Sequence, residues 1–139
     1  MKALAIRLHP HQDLLVELDA FACARQLNAA CILCCVGSLR HATLRYADQK
    51  NSTDLEGKFE IVSLTGTLSQ HGSHIHISIA DGEGQTLGGH LLEGCRIYTT
   101  AEIVIGVLPK VNFTREFDPE TGFEELSIGS TVTPKGDSL

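Results

Sequence analysis

Hydrophobic and polar residues alternate with a period of two along most of this chain, and that period indicates β-strands. The alternation is strictest in residues 74–79, where three isoleucines alternate with two histidines and a serine. Further strands are predicted at Lys2–Leu8, Cys31–Val36, Leu39–Ala47 and Lys58–Leu68, with weaker signals in the C-terminal third. Gly66 lies inside one of them, which predicts a bulge or a close approach of another backbone.

One segment has helical spacing instead. Leu14, Leu18 and Phe21 begin a pattern that continues to Leu27 and predicts a single amphipathic helix, with Asp13 as its N-cap. One helix followed by hairpins is typical of an α+β domain. We therefore predict a largely antiparallel sheet of about seven strands with one main helix, formed by residues 1–128, and a flexible C-terminal tail at residues 129–139.

Length and charge limit the classes of function. The 139 residues are enough for one domain with a core. A net charge of −6 argues against broad electrostatic capture of nucleic acid, although it leaves room for a local basic patch. No apolar run approaches the roughly 18 residues of a membrane span. We expect no membrane partner and, with no signal-peptide pattern at the N-terminus, a cytoplasmic location.

Four of the five cysteines are clustered in residues 23–35. Cys31 and Cys34 match the C-x-x-C spacing of redox and zinc motifs, which belong at exposed turns or helix N-termini. Here the motif lies in an apolar segment, where a free cysteine behaves as a small core residue. We interpret all five cysteines as reduced, buried thiols.

Three of the seven histidines lie close together around a glycine-rich turn at residues 81–85. If residues 82–84 form a three-residue hairpin loop with Gly84 in the left-handed conformation, Asp81 faces Gln85. His76 is then directly opposite His90. Facing Cβ atoms in such a pair are about 4.5–5.5 Å apart.

His74 lies one step along the same strand face as His76, because side chains two residues apart share a face. Two alternatives remain open from the sequence. A two-residue loop would place His90 opposite Ile75 and point it to the other face, and a bulge at Gly88–Gly89 would shift the register.

Three histidines with an open fourth position are the ligand set of a catalytic or ligand-binding zinc ion. His74, His76 and His90 are therefore candidate metal ligands, and zinc is the candidate cofactor. The competing interpretation is a polar groove in which the imidazoles bond to one another and to water. Asp81, Glu93 and Glu102 are candidate carboxylates for orienting an imidazole or for acid–base work.

Several segments resemble the PPC (plant and prokaryote conserved) domain family. They are Gly66–Thr67, His74–Asp81, Gly88–Leu91 and Thr100–Ile105. The resemblance implies a compact α+β domain that assembles as a homotrimer. It also implies, for some prokaryotic members, zinc held by the histidines that match His74, His76 and His90.

The plant members are joined to AT-hooks, short Arg-Gly-Arg-Pro-type segments that enter the minor groove of DNA, and these 139 residues contain no such segment. Prokaryotic members are described as DNA-binding by that analogy. The first hypothesis is thus a trimeric binding or regulatory module, with DNA as a weakly supported partner. The alternative is a zinc-dependent enzyme acting on a small polar or keto-acid-like molecule, because the three histidines also resemble the zinc ligands of acetolactate decarboxylases.

Overall fold

The computed structural model describes residues 1–131, which contain one α-helix and eight β-strands. In chain order the elements are β1 (Lys2–Leu8), α1 (Leu14–Ala24), β2 (Ala30–Arg45), β3 (Thr53–Ser69), β4 (Gly72–Ala80), β5 (Thr86–Leu91), β6 (Arg96–Val107), β7 (Val111–Asp118) and β8 (Phe123–Ser130). All the strand pairings in these residues are antiparallel. The predicted α+β class is confirmed.

Six strands form one sheet in the order β1-β6-β2-β3-β4-β5, and β7 and β8 form a separate hairpin. The end of β2 also pairs with β5, through Leu44–Leu91 and Arg45–His90. Strands β2, β3, β4 and β5 therefore form a closed circuit of hydrogen-bonded neighbours. Register shifts within β2 and β3 accompany the bending that this closure requires.

Helix α1 begins where the sequence predicts and ends earlier. The Asp13 carboxylate accepts a hydrogen bond from the Val16 backbone N–H at 3.2 Å, as an N-cap does. The helix ends at Ala24, three residues before the predicted Leu27. Gln26 has a φ of 50°, which an α-helix does not tolerate, so Leu27 reaches the core from outside the helix.

Strand β2 is a single strand where the sequence predicted two segments separated at Gly37–Ser38. Gly37 is needed for close packing: a Cβ there would meet the Thr100 carbonyl of β6 and lie 2.7 Å from the Ala101 Cα. Gly66 in β3 has the predicted close approach, since its Cβ would lie 2.9 Å from the Ile75 Cα. Both glycines thus mark strand contacts inside the sheet.

The β4–β5 hairpin has the register that the three-residue loop predicts. Gly84 has a φ of 79°, and the Asp81 N–H donates to the Gln85 carbonyl at 3.0 Å. His76 pairs with His90, and the pairing continues without a shift through Gly88 and Gly89. Both alternatives, the two-residue loop and the bulge, are therefore excluded.

The two glycines before His90 allow β5 to lie close to strands on both sides. A Cβ on Gly88 would lie 3.0 Å from the Ser78 Cα of β4. A Cβ on Gly89 would lie 2.6 Å from the Arg45 carbonyl oxygen of β2. Larger residues at these positions would separate β5 from its neighbours.

The interpretation of the cysteines as buried thiols is correct for Cys95 and wrong for two others. All five cysteines are free, but Cys23 and Cys34 are exposed and Cys31 and Cys35 are only partly buried. An apolar strand need not be covered on both faces within one chain, and one face of β2 is partly open here. Burial, with the neighbouring Cys34, raises the pKa of the Cys35 thiol to about 12.

Two further sequence predictions concern the C-terminal residues and membrane-spanning segments. Strand β8 includes Gly129 and Ser130, which the sequence prediction assigned to the tail, and residues 132–139 lie outside the described residues. In residues 1–131 no helix has the length and hydrophobicity to cross a membrane.

The closure of β5 on β2 gives a first testable prediction. Gly89→Ala should lower the free energy of unfolding by about 1–3 kcal/mol, because the new Cβ displaces a backbone atom that cannot rotate away. Gly82→Ala is the matched control, since nothing lies within 4 Å of a Cβ at that loop position. Urea unfolding of both variants checks this, and equal midpoints would contradict it.

Candidate metal centre

Strand alternation brings three histidines to one side of the β4–β5 hairpin. Ile75, Ile77 and Ile79 are buried in the core, so the residues between them face the other way. His74 and His76 are exposed on that face, and His90 is half-buried opposite His76.

The three imidazoles are close enough to share one ion. The Nε2 atoms of His74 and His76 are 3.2 Å apart, and one ligand nitrogen from each of the three rings lies within 4.8 Å of the others. Two nitrogens bound tetrahedrally at about 2.0–2.1 Å from zinc are themselves about 3.3 Å apart. His74 and His76 already have that separation, and a His90 nitrogen lies within 4.8 Å of the ligand nitrogens of both.

His90 carries a further sign of a missing partner. Its Nδ1 atom is buried and has no hydrogen-bond partner within residues 1–131. A buried polar nitrogen without a partner is costly, and a metal ion or a hydrogen-bonding ligand would satisfy the ring. The residues present therefore fit a metal ion with three nitrogen ligands.

The surroundings favour the neutral form of His74 and His90, which is the form of histidine that binds metal. Partial burial lowers the pKa of His74 below its usual 6.5, and the charges of His76, Arg115 and Arg45 lower it further, while Glu125 acts in the opposite direction. Partial burial also lowers the pKa of His90, as do Arg45 and the other two histidines.

Two arginines flank the histidines. Arg45 at the end of β2 pairs with His90 across the closing strand contact. Arg115 of β7 donates a hydrogen bond to the Thr67 hydroxyl at 3.2 Å, and Thr67 is the β3 residue that faces His74. Two guanidinium groups from distant parts of the chain thus lie near enough to His74 to affect its pKa.

Two cavities adjoin the cluster, with volumes of about 450 Å³ and about 710 Å³. His74, His90, Arg45 and Phe123 line both. The smaller cavity is also lined by His71, Gly72, Ser73, Arg115, Glu124 and Glu125. Its volume is in the usual range for a small-molecule site.

The structure places the candidate carboxylates elsewhere. Asp81 accepts hydrogen bonds from the Glu83 and Gln85 backbone N–H groups and so holds the hairpin loop. Glu93 follows β5 and Glu102 lies on β6 facing Arg7 of β1. None of these three carboxylates lines either cavity.

The sequence patterns did not identify four residues that lie around the cluster: Arg45, Arg115, Phe123 and Glu125. Arg45 reaches the site only because β2 closes onto β5, and the other three lie on the β7–β8 hairpin. In the sequence Arg45 lies between the apolar Leu44 and the aromatic Tyr46 in an alternating strand, which was the available signal. No local pattern indicates which distant strand such a strand will meet.

Fold and site together define a small antiparallel α+β domain with an exposed three-histidine cluster. The sequence pattern of the Plants and Prokaryotes Conserved (PCC) domain matches residues 1–109. The chain belongs to this family, which is also abbreviated PPC.

One curated relative is the bifunctional protein GlmU of a Synechococcus strain, with 48% identity over 128 residues. The alignment covers 92% of this chain and 20% of that protein, so the chain spans about a fifth of the length of the curated relatives it first matches.

Among solved structures, a hypothetical protein from Salmonella is 44% identical, with a TM-score of 0.91 and coverage of 94% of this chain and 95% of that one. A metal-containing protein from Archaeoglobus fulgidus is 27% identical, with a TM-score of 0.77 and coverage of 91% and 94%. A protein from Bacteroides thetaiotaomicron, provisionally described as DNA-binding, shares the fold at 23% identity, with a TM-score of 0.80 and coverage of 90% and 91%.

The lowered pKa values of His74 and His90 predict how stability depends on pH without metal. At pH values between the folded-state pKa and the usual 6.5, the unfolded chain binds more protons than the folded chain. The free energy of unfolding therefore rises with pH in this range. The contribution of the two neutral histidines to the free energy of unfolding is fully present above about pH 6.5. It is lost as the pH falls through their folded-state pKa values.

Urea midpoints of chelator-treated protein between about pH 5 and 7 measure this slope. A double variant, His74→Gln with His90→Gln, should show a shallower rise than the wild type. An unchanged slope in the double variant would show that other groups cause the pH dependence.

Proposed function

We propose that this chain is a metal-binding module in which His74, His76 and His90 hold one divalent ion, with zinc as the expected metal. The observation that carries the proposal is the convergence of three imidazole nitrogens within 4.8 Å, next to a cavity. Imidazole is a common ligand of zinc, and three protein ligands leave a fourth position for an exogenous group. The bound ion would supply Lewis acidity at that position.

The relatives support the same proposal in two ways. The Archaeoglobus fulgidus protein, which is similar over nearly its whole length, is described as metal-containing. The GlmU relative carries a homologous segment as about a fifth of a longer chain. The homologous segment makes up nearly all of the Archaeoglobus fulgidus chain and about a fifth of GlmU, so we expect it to behave as a module.

The proposal includes a homotrimer, which the family resemblance implies. Exposed apolar residues on the sheet support it: Val36 of β2 is 63% exposed and Val62 of β3 is 56% exposed. Both valines lie between the Cys31–Thr67 and Ser38–Glu60 pairs, on neighbouring strands of the sheet. Partner subunits would cover such a pair, and burial of apolar surface is the main favourable term in association.

DNA binding remains the weaker candidate. It rests on the fold shared with the Bacteroides protein, and likeness of fold alone does not establish function. A subunit charge of −6 predicts that any binding to DNA is weak and sensitive to salt. We also propose a cytoplasmic location, since five free thiols are the form that cysteines keep in a reducing compartment.

The alternative function is a zinc-dependent enzyme acting on a small polar or keto-acid-like molecule. The cavity of about 450 Å³ beside the open metal position favours it. The groups in the cavity lining that could transfer a proton are Glu124, Glu125 and His71, whereas Asp81, Glu93 and Glu102 lie outside it. We prefer the binding module, because the candidate acid–base carboxylates Asp81, Glu93 and Glu102 lie outside both cavities.

The metal site gives a direct prediction. Protein purified, stripped and reloaded with zinc should hold about one ion per chain, and zinc at 100 times its dissociation constant should stabilise the fold by about 2.7 kcal/mol. His76→Ala should bind far less zinc and lose this stabilisation.

His71→Ala is the matched control, because His71 lines the cavity and does not belong to the cluster. Elemental analysis and thermal unfolding with and without zinc provide the measurements. Near-zero zinc in the wild type, or equal zinc in wild type and His76→Ala, would refute the proposed site.

The trimer has its own prediction. Light scattering should give a mass three times that of the 15.0 kDa subunit, and Val36→Glu should dissociate the assembly because it places a charge in the apolar interface. Val16→Glu is the control, since Val16 is an exposed valine on helix α1. A monomeric wild type, or a Val36→Glu variant with the wild-type mass, would contradict the proposed interface.

A further inference from the structure

We infer that the metal centre takes a small oxyanion, a carboxylate or a phosphonate-like group, held between the open metal position and the guanidinium groups of Arg45 and Arg115. The inference rests on the proposed metal site and adds the chemical class of its ligand. Three observations support it: the available N–H donors of the two arginines, the balance of charge in the smaller cavity, and the size of that cavity.

The first observation is that Arg45 has no partner of its own. Its half-buried side chain lines both cavities, and within residues 1–131 it makes no hydrogen bond and no salt bridge. A guanidinium group offers five N–H donors in a planar fork that fits the two oxygens of a carboxylate or phosphoryl group. Arg45 faces His90 across the closing strand pair, so a ligand on the metal would lie within its range.

Arg115 is held in place and still has free donors. One N–H group donates to the Thr67 hydroxyl at 3.2 Å, which fixes the guanidinium beside His74. In the described part of the chain no carboxylate lies within salt-bridge distance of it. The other N–H groups of Arg115 therefore remain available. Together with Arg45 they make recognition of an oxyanion stronger and more specific than one arginine would.

The acidic groups in the cavity set a condition on binding. Glu124 and Glu125 both line this cavity, and Glu125 also accepts a hydrogen bond from the Thr121 hydroxyl at 2.9 Å. The two glutamates in the cavity lining balance the charges of the two arginines. A divalent ion then makes the cavity positive, so an anion should bind the loaded protein and bind the metal-free protein poorly.

The size of the cavity limits the ligand to a small molecule. Its volume of about 450 Å³ lies in the lower half of the range for small-molecule sites. Phe123 forms an apolar part of the wall, which suits a ligand with a short hydrocarbon portion beside its charged group.

The test uses full-length protein loaded with cobalt(II), whose visible absorption reports ligands that enter the coordination sphere. Pyruvate and methylphosphonate are titrated separately, followed by absorption and by calorimetry. We expect at least one of them to bind the loaded wild type and to bind metal-free protein far more weakly. The tighter of the two shows whether the site prefers a carboxylate or a phosphoryl group.

Arg45→Gln and Arg115→Gln should each weaken the binding by about tenfold or more while cobalt uptake stays at the wild-type level. Arg96→Gln should bind as the wild type does, because Arg96 is exposed and lines neither cavity. Thermal unfolding of each variant verifies that it folds.

The outcomes separate the two proposals. A wild type that takes up no cobalt refutes the metal site and, with it, this inference. Cobalt uptake without binding of either anion refutes the inference alone. Equal affinities in Arg45→Gln, Arg115→Gln and Arg96→Gln would also refute it, because the anion would then be held by the metal without help from the two arginines.

Discussion

The candidate site depends on the double pairing of strand β5. This short strand pairs with β4 on one side and with the end of β2 on the other, and Gly88 and Gly89 make both approaches close enough. Without the first contact His90 would not face His76. Without the second, Arg45 would not lie beside His90.

The same arrangement explains the electrostatics of the cluster. His74 and His90 have partly lost solvent and Arg45 lies near both, so the pKa of each is lowered and their protonated forms are disfavoured. Neutral histidines with available lone pairs are the form that a metal ion requires. The fold thus prepares the ligands electrostatically as well as geometrically.

The parts of the structure that could be predicted from sequence are those that local rules determine. Alternation located β4, and a three-residue loop within residues 81–85 predicted the register that brings His76 to His90, although the sequence left two other registers open. The parts that could not be predicted depend on distant contacts. Gly37 looked like a strand end because nothing local reveals that β6 packs against it, and Arg45 gave no sign that β2 would meet β5. The exposure of Cys34 likewise depends on which face of β2 the rest of the chain covers.

X-ray absorption at the zinc edge of the reloaded protein tests the central claim most directly. We predict three nitrogen scatterers of imidazole type at about 2.0–2.1 Å and one further light atom from the exogenous ligand. A sulfur scatterer at about 2.3 Å would show that cysteines hold the metal, and fewer than three imidazoles would show that the histidine cluster is not the site.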